Sequence, residues 1–189
     1  MTELAELKSR VVARADDDGL LDVAYTRTDS PLGELLLAAT PRGLVTVGFP
    51  SQDADLVLGR LAAEVSPRVL ERPARLDEAR RELDQYFEGR RRRFDVEVDF
   101  SLSHGFRRQV LVETARIPFG ETSTYAQVAA SAGSPRAHRA AGSALGSNPV
   151  PIVVPCHRVL RSGGALGGYA GGLEVKQRLL DLEGVGQRG

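Results

Sequence analysis

The spacing of apolar residues changes once along this chain, close to Ser101–Gly105, and that change limits the folds open to it. Before it, apolar side chains alternate at Leu21, Val23 and Tyr25, at Val45, Val47 and Phe49, and at Phe94, Val96, Val98 and Phe100. Alternation is the signature of strands with one buried face. Glu34 to Ala39 reads as a further strand between two turns, Ser30-Pro31-Leu32-Gly33 and Pro41-Arg42-Gly43, so the first strands form a meander. Helical spacing interrupts this pattern twice. One stretch carries Ala54, Val57, Leu58, Leu61 and Val65; the other carries Leu76, Ala79, Leu83 and Phe87, with Gly89 as its cap. After the change, strand alternation gives way to helices. Phe106, Val110 and Thr114 lie on one face of a helix that Pro118 and Gly120 end.

The expected organisation is an extension at 1–19, an α/β domain at 20–102 and a mostly helical domain at 103–189. Residues 2–14 suit a short helix with Leu4, Leu7 and Val11 near one face, and Asp16-Asp17-Asp18-Gly19 reads as a linker. Met1 to Arg14 mix Glu, Lys and Arg with Leu and lack the apolar core of a signal peptide. With 42% apolar and 26% charged residues the class is ordinary globular, and the expected location is the cytoplasm. The net charge of zero hides a split. Residues 1–100 hold 15 Lys and Arg against 20 Asp and Glu, whereas residues 101–189 hold 10 against 5. A basic second half suits an anionic partner. Arg90 to Arg93 fit a solvated turn better than a nucleic-acid contact, because the strand expected after them reads as core.

In the second half, Thr124 can cap a helix from Tyr125 to Ala132 that Gly133 stops. Ser134-Pro135 then supplies a cap and a proline for a second short helix, Arg136 to about Leu145, rich in Ala and Gly. Two short helices across a glycine-containing turn form the helix-turn-helix pattern, which an ordinary helical hairpin shares. Asn148-Pro149-Val150-Pro151 leads into Ile152-Val153-Val154, read as a buried strand, and then Pro155-Cys156-His157-Arg158. Cys156 is the only cysteine. It can form neither an internal disulfide nor a multi-cysteine zinc site. A thiol beside a histidine and an arginine is in a setting that favours the thiolate, the nucleophilic form. Neighbouring residues of a strand point opposite ways, so a sharp turn or a bridging water must join Cys156 to His157. Glu174, Asp181 and Glu183, around a closing helix with Val175, Leu179 and Leu182 on its apolar face, are candidates to orient the imidazole.

The stretch NPVPIVVPCHRVLRSGGALGGYAGGLEVKQRLLDLEG resembles the active-site segment of the O6-alkylguanine-DNA alkyltransferases. IPFGETSTYAQVAASAGSPRAHRAAGSALGSNP resembles their helix-turn-helix, and QYFEGRRRRFDVEVD and SPLGELLLAATPRGLVTVGF are similar to the preceding domain. The resemblance implies a ribonuclease H-like first domain. It also implies direct, single-turnover transfer of an alkyl group from O6 of guanine in double-stranded DNA to Cys156, with the base flipped out of the helix. No cofactor and no metal are implied, no membrane is involved, and a monomer is expected. By the same resemblance His157 deprotonates Cys156 through a water, Glu183 holds His157, and Asn148 braces the turn before the cysteine. Tyr125 is implied to rotate the target phosphate and donate to the guanine ring. Arg139 is implied to fill the vacated base stack, with Arg136 and Ala137 beside it on the DNA. Pro151, Val159, Gly167, Tyr169 and Ala170 are implied to shape the base pocket.

Several features depart from the family pattern. The chain has no tryptophan, and Leu111 stands near the family's usual one. Ala141 and Ala170 replace residues that are often larger or polar, and one Cys with three His argues against the zinc some members carry. Other readings fit less well. A cysteine hydrolase would need an oxyanion site and would turn over. A zinc nucleobase deaminase needs a second cysteine. The glycine-rich run Gly163 to Gly172 lacks the Lys-Ser/Thr ending of a phosphate loop. The main alternative is a non-catalytic DNA-binding damage sensor or regulator, but alkyltransferase-like sensors lack the acceptor cysteine that this chain has.

Overall fold

The computed structural model of the protein describes residues 3–185. Helix α1 (Glu3–Asp17) leads into β1 (Val23–Thr28), β2 (Leu35–Thr40) and β3 (Gly43–Gly48). Next come α2 (Ala54–Glu64), β4 (Val69–Glu71) and α3 (Asp77–Phe87). The sheet order is β3-β2-β1-β4, with β4 parallel to β1 and the other pairs antiparallel. Every residue of the central strand β2 is buried, so its side chains pack on both faces of the sheet. Gly43 starts β3 at φ +128°, where a Cβ would lie 2.6 Å from the carbonyl carbon of Glu97. Only glycine lets the chain at Glu97 come this close. Asp53 caps α2 by accepting from the N–H groups of Asp55 and Leu56, and Leu61 is the buried residue of that helix.

The second half contains α4 (Gly105–Ala115), β5 (Ser123–Thr124), α5 (Tyr125–Ser131), α6 (His138–Gly146), β6 (Val159–Leu160) and α7 (Leu173–Leu182). Thr124 and Gln127 form the reciprocal capping box that starts α5. Parallel pairing of β5 with β6 ties the start of α5 to the segment that follows Cys156. One continuous core, from Leu35 and Leu37 through Leu83 and Tyr86 to Leu111, Ile152, Cys156 and Leu179, joins the sheet to these helices. Leu111 is fully buried in it. No helix among the described residues is long and apolar enough to cross a membrane.

Four sequence expectations need correction. Phe94 to Phe100 is not a strand. Burial alternates from Phe94 to Val98 and then breaks at buried Asp99; only Val98 bridges, to Leu44, while the Glu82 carboxylate accepts from the N–H groups of Asp95 and Val96 at 2.9 and 3.1 Å. A buried side chain thus takes donors that a neighbouring strand would otherwise satisfy. Ile152-Val153-Val154 is a tight turn rather than a strand, with Ile152 at φ +75° and the Val154 N–H donating to Val150 O at 2.9 Å. The second short helix begins at His138, not Arg136. Ser134 closes a turn by accepting from the Ala137 N–H at 2.9 Å, which leaves Arg136 and Ala137 ahead of the helix. Lastly, Asp16 belongs to α1 and accepts from Arg72 at 3.1 Å and Arg75 at 2.8 Å. The helix is therefore pinned to the first domain by ion pairs and by Val12, while Leu7 and Val11 are exposed; Leu4 has no described side chain.

Candidate active site

The turn before Cys156 is built by one side chain. Asn148 lies just past α6 with its Oδ1 accepting from the Val150 N–H at 3.0 Å. Its Nδ2 donates to Val154 O at 2.9 Å and to Cys156 Sγ at 3.1 Å. The left-handed Ile152 inside this turn is costly for a β-branched residue. Full burial of its side chain and the Asn148 bonds hold it there. The chain then enters a 3₁₀ turn, Cys156–Arg158, so of the two expected links between Cys156 and His157, a sharp turn or a bridging water, the turn is present. Cys156 is 4% exposed.

Behind the cysteine lies a buried charged cluster. His157 Nε2 is 2.8 Å from Glu183 Oε1. Arg158 clamps the same carboxylate from Nε and Nη2, both at 2.8 Å, and donates from Nη1 to Ile117 O. The Gly120 N–H donates to Glu183 Oε2 at 3.2 Å, and the Tyr86 hydroxyl donates to Oε1 at 2.7 Å. Burial opposes the charge on Glu183, but the bonds from His157 and Arg158 outweigh it and bring its carboxyl down to about 2. Burial lowers the His157 imidazole below the usual histidine range despite Glu183. Glu183 holds the hydrogen on Nε2, so Nδ1 carries the free lone pair, and it has no protein partner among the described residues. The thiolate-favouring setting expected from the neighbouring His157 and Arg158 is not realised: Arg158 turns to Glu183, and burial pushes the Cys156 thiol up to about 11, against the Asn148 bond and the Lys176 charge, which lower it. At neutral pH the pair is therefore a neutral thiol beside a neutral imidazole. Such a thiol needs a base to become a nucleophile, and an unprotonated imidazole can serve as one.

Of the three acids proposed to orient His157, Glu183 alone does so. Glu174 and Asp181 are exposed, and Asp181 accepts from Gln177 instead. Next to the site, a cavity of about 500 Å³ is lined by Tyr125, Arg139, Gly167, Tyr169 and Ala170 among others. Pro151 and Val159 do not line it: Pro151 bridges Val154 within the buried turn, and Val159 is buried in β6. Arg136 is exposed in the turn before α6, next to half-buried Ala137, and neither borders the cavity. Gly171 backs onto Phe49 and Val175. Gly167 packs against the Tyr125 ring, where a Cβ would come within 2.8 Å of Cζ. Four further residues outside the glycine-rich loop line the cavity that sequence reasoning did not single out for it: His138, Gly142, Gly146 and Arg161.

Sequence reading also missed Lys176. It is fully buried, and its ammonium donates to Val159 O at 2.7 Å and Gly167 O at 3.4 Å. Burial lowers its pKa and the neighbouring Cys156 raises it. Its position among Val175, Leu179 and Leu182 offered one signal, a lysine inside an otherwise apolar helix face.

Residues 23–100 match the family model described as the ribonuclease-like domain of 6-O-methylguanine DNA methyltransferase, and residues 105–185 match its DNA binding domain. The chain belongs to this methyltransferase family. Curated relatives agree over most of their length. A methylated-DNA–protein-cysteine methyltransferase of Methanosarcina acetivorans is 40% identical over 85% of this chain and 97% of its own. The constitutive Bacillus subtilis protein of that name is 38% identical over 85% of this chain and 95% of its own. Among solved structures, Mycobacterium tuberculosis OGT in complex with DNA superposes with a TM-score of 0.72 at 36% identity, covering 85% of this chain and 92% of that one. The family's two-part arrangement, an α/β first part and a helical second part, is the one described above.

Proposed function

We propose that this protein repairs O6-alkylguanine in DNA by moving the alkyl group irreversibly onto Cys156. One observation carries the reading beyond family membership: the lone cysteine is held at 3.1 Å by Asn148 and is followed directly by a buried His157–Glu183 pair. His157 Nδ1 takes the thiol proton through a water. The thiolate attacks the alkyl carbon, the C–O6 bond breaks, and its electron pair leaves with guanine. Tyr125, at the edge of the cavity, donates to the guanine ring and meets the charge that develops there. A thioether on Cys156 has no leaving group that water can displace, so each molecule acts once. The alkyl donor is the damaged base, so no cofactor enters.

An alkyl carbon inside a duplex is out of reach of a buried thiol, and the nucleotide must be extruded. We read α5 and α6 as a helix-turn-helix whose small-residue α6 enters the minor groove, with Arg139 replacing the flipped base. On the same footing the mixed β3-β2-β1-β4 sheet is ribonuclease H-like. The working units are 20–102 and 103–189 behind the extension 1–19. The protein acts as a monomer, in the cytoplasm. The test is incubation with a duplex containing O6-methylguanine, followed by peptide mass analysis. One methylene of added mass on the Cys156 peptide, in amounts that stop at one per protein, is the expected result. Sustained turnover with unmodified protein would refute it.

A further inference from the structure

Glu183 has two oxygens with about four acceptor positions. Five donor contacts converge on them. Four come from residues 120–158 of the second half: His157, Arg158 twice, and the Gly120 N–H. The fifth comes from the other half of the molecule, the Tyr86 hydroxyl on α3, 97 residues away in sequence and 2.7 Å from Oε1. That oxygen is the one His157 uses. Tyr86 is completely buried, and its ring is wedged among Phe87, Phe94 and Phe119 with centroids 5.3 to 6.1 Å apart. Those contacts leave the hydroxyl a fixed direction. Desolvation and the Glu183 charge hold the phenol far above its ordinary range, so it stays a donor at any working pH.

We propose that Tyr86 is a positioning residue for alkyl transfer, whose hydroxyl occupies part of Glu183 Oε1 and so limits how strongly this carboxylate can draw a proton onto His157. The first domain thereby tunes chemistry carried out entirely by the second. A hydrogen bond to a carboxylate spreads its charge over a second donor. Without it, Oε1 would bind an imidazolium more tightly, and His157 would hold a proton when it should be free to accept one from Cys156. The groups facing His157 are Glu183 and Lys176 from the α7 segment, Arg158 and Cys156 from its own turn, and Tyr169 at a ring distance of 6.3 Å. Of the donors on Glu183, Tyr86 is the one that can be removed by a single oxygen.

The proposal rests on the alkyl-transfer reading, and two measurements on Tyr86→Phe separate them. The first follows the His157 ring by NMR titration and involves no DNA. His157 in the variant should titrate about one pH unit higher than in wild type, equivalent to a tenfold change in proton affinity. The second measures the single-turnover rate at saturating methylated duplex from acid to alkaline pH. Its acid limb should shift upward by the same amount, giving about tenfold slower transfer on that limb and a nearly unchanged alkaline plateau. Leu61→Val, a truncation in the separate core cluster of the first domain that does not include Tyr86, should lower stability and leave both titrations in place. An unshifted His157 titration in Tyr86→Phe would overturn the proposal. So would a rate loss that is equal at every pH, since a purely structural residue would behave that way. If His157 shifts while no alkyl group ever reaches Cys156, the reading of the reaction fails and the Tyr86 coupling stands.

Discussion

Asn148 Nδ2 sits 3.1 Å from Sγ of Cys156 and 2.9 Å from the carbonyl oxygen of Val154, so one amide both folds the turn and touches the nucleophile. Asn148→Ala removes a donor that lowers the thiol's pKa, and it orphans the Val150 N–H, while Val154 O keeps the Cys156 N–H at 2.8 Å. The expected outcome is a loss of about 1–3 kcal/mol of stability for the orphaned group and a Cys156 pKa above its present value of about 11. Thermal unfolding and the pH dependence of iodoacetamide labelling of Cys156 would check the two effects. Unchanged labelling would mean the 3.1 Å contact has no influence on the thiol.

Gly167 borders the cavity beside Tyr125. Gly167→Ala places a methyl group within 2.8 Å of Tyr125 Cζ, so the phenol ring must move. Both the duplex reaction and the reaction with free O6-benzylguanine should slow, by roughly tenfold or more, because a displacement of about 1 Å at a reacting site costs up to 10²-fold. The wild-type protein should accept O6-benzylguanine, since the loop at Gly167 and Gly168 carries no side chain into the cavity. Stopped-flow or gel-based inactivation assays would measure both substrates. Failure of wild type with the benzyl compound would show that the cavity is narrower than its lining residues suggest.

Glu183 titrates near 2 in the folded protein, against 4.5 ordinarily. Its folded pKa is depressed, so its contribution to stability is present above about pH 4.5 and lost as pH falls toward 2. Wild type should lose thermal stability through that window. Glu183→Gln should start less stable at neutral pH, because Arg158 and His157 lose a charged partner, and should fall less across the same window. Melting curves between pH 7 and 2.5 distinguish the two. Parallel curves would mean Glu183 is not ionised in the folded state.

Arg139 is exposed on α6 and lines the cavity mouth. Extruding a stacked base costs a few kcal/mol, and each ~1.4 kcal/mol that a stacking arginine offsets is tenfold in the flipped population. Arg139→Ala should slow duplex repair by about one to two orders of magnitude at saturating DNA and fixed salt. Its reaction with a free alkylated guanine base should barely change, because Arg139 is not among the residues bonded to His157 or Glu183. Equal losses on both substrates would remove the base-replacing role from Arg139.

Much of this protein is decided by local sequence. The alternation at Val23, Tyr25, Val45 and Val47 calls for strands, Thr124 and Gln127 start a helix wherever they are placed, and Cys156 is the only thiol available for chemistry. These depend on backbone propensity, capping and composition, which act over a few residues. The second group depends on what lies across space. Phe94 to Phe100 has a strand's alternation, yet Glu82 takes its backbone donors; Ile152 to Val154 has a strand's composition, yet Asn148 folds it into a turn. Glu183 could be distinguished from Glu174 and Asp181 only by resemblance to a family until the structure showed which carboxylate is buried against His157. Lys176 and Tyr86 gave no local sign of their partners. A hydrogen bond from α3 to the end of α7 forms only when both halves of the chain have packed. Burial then makes each such contact decisive, because a polar group removed from water must find a partner wherever the fold has put one.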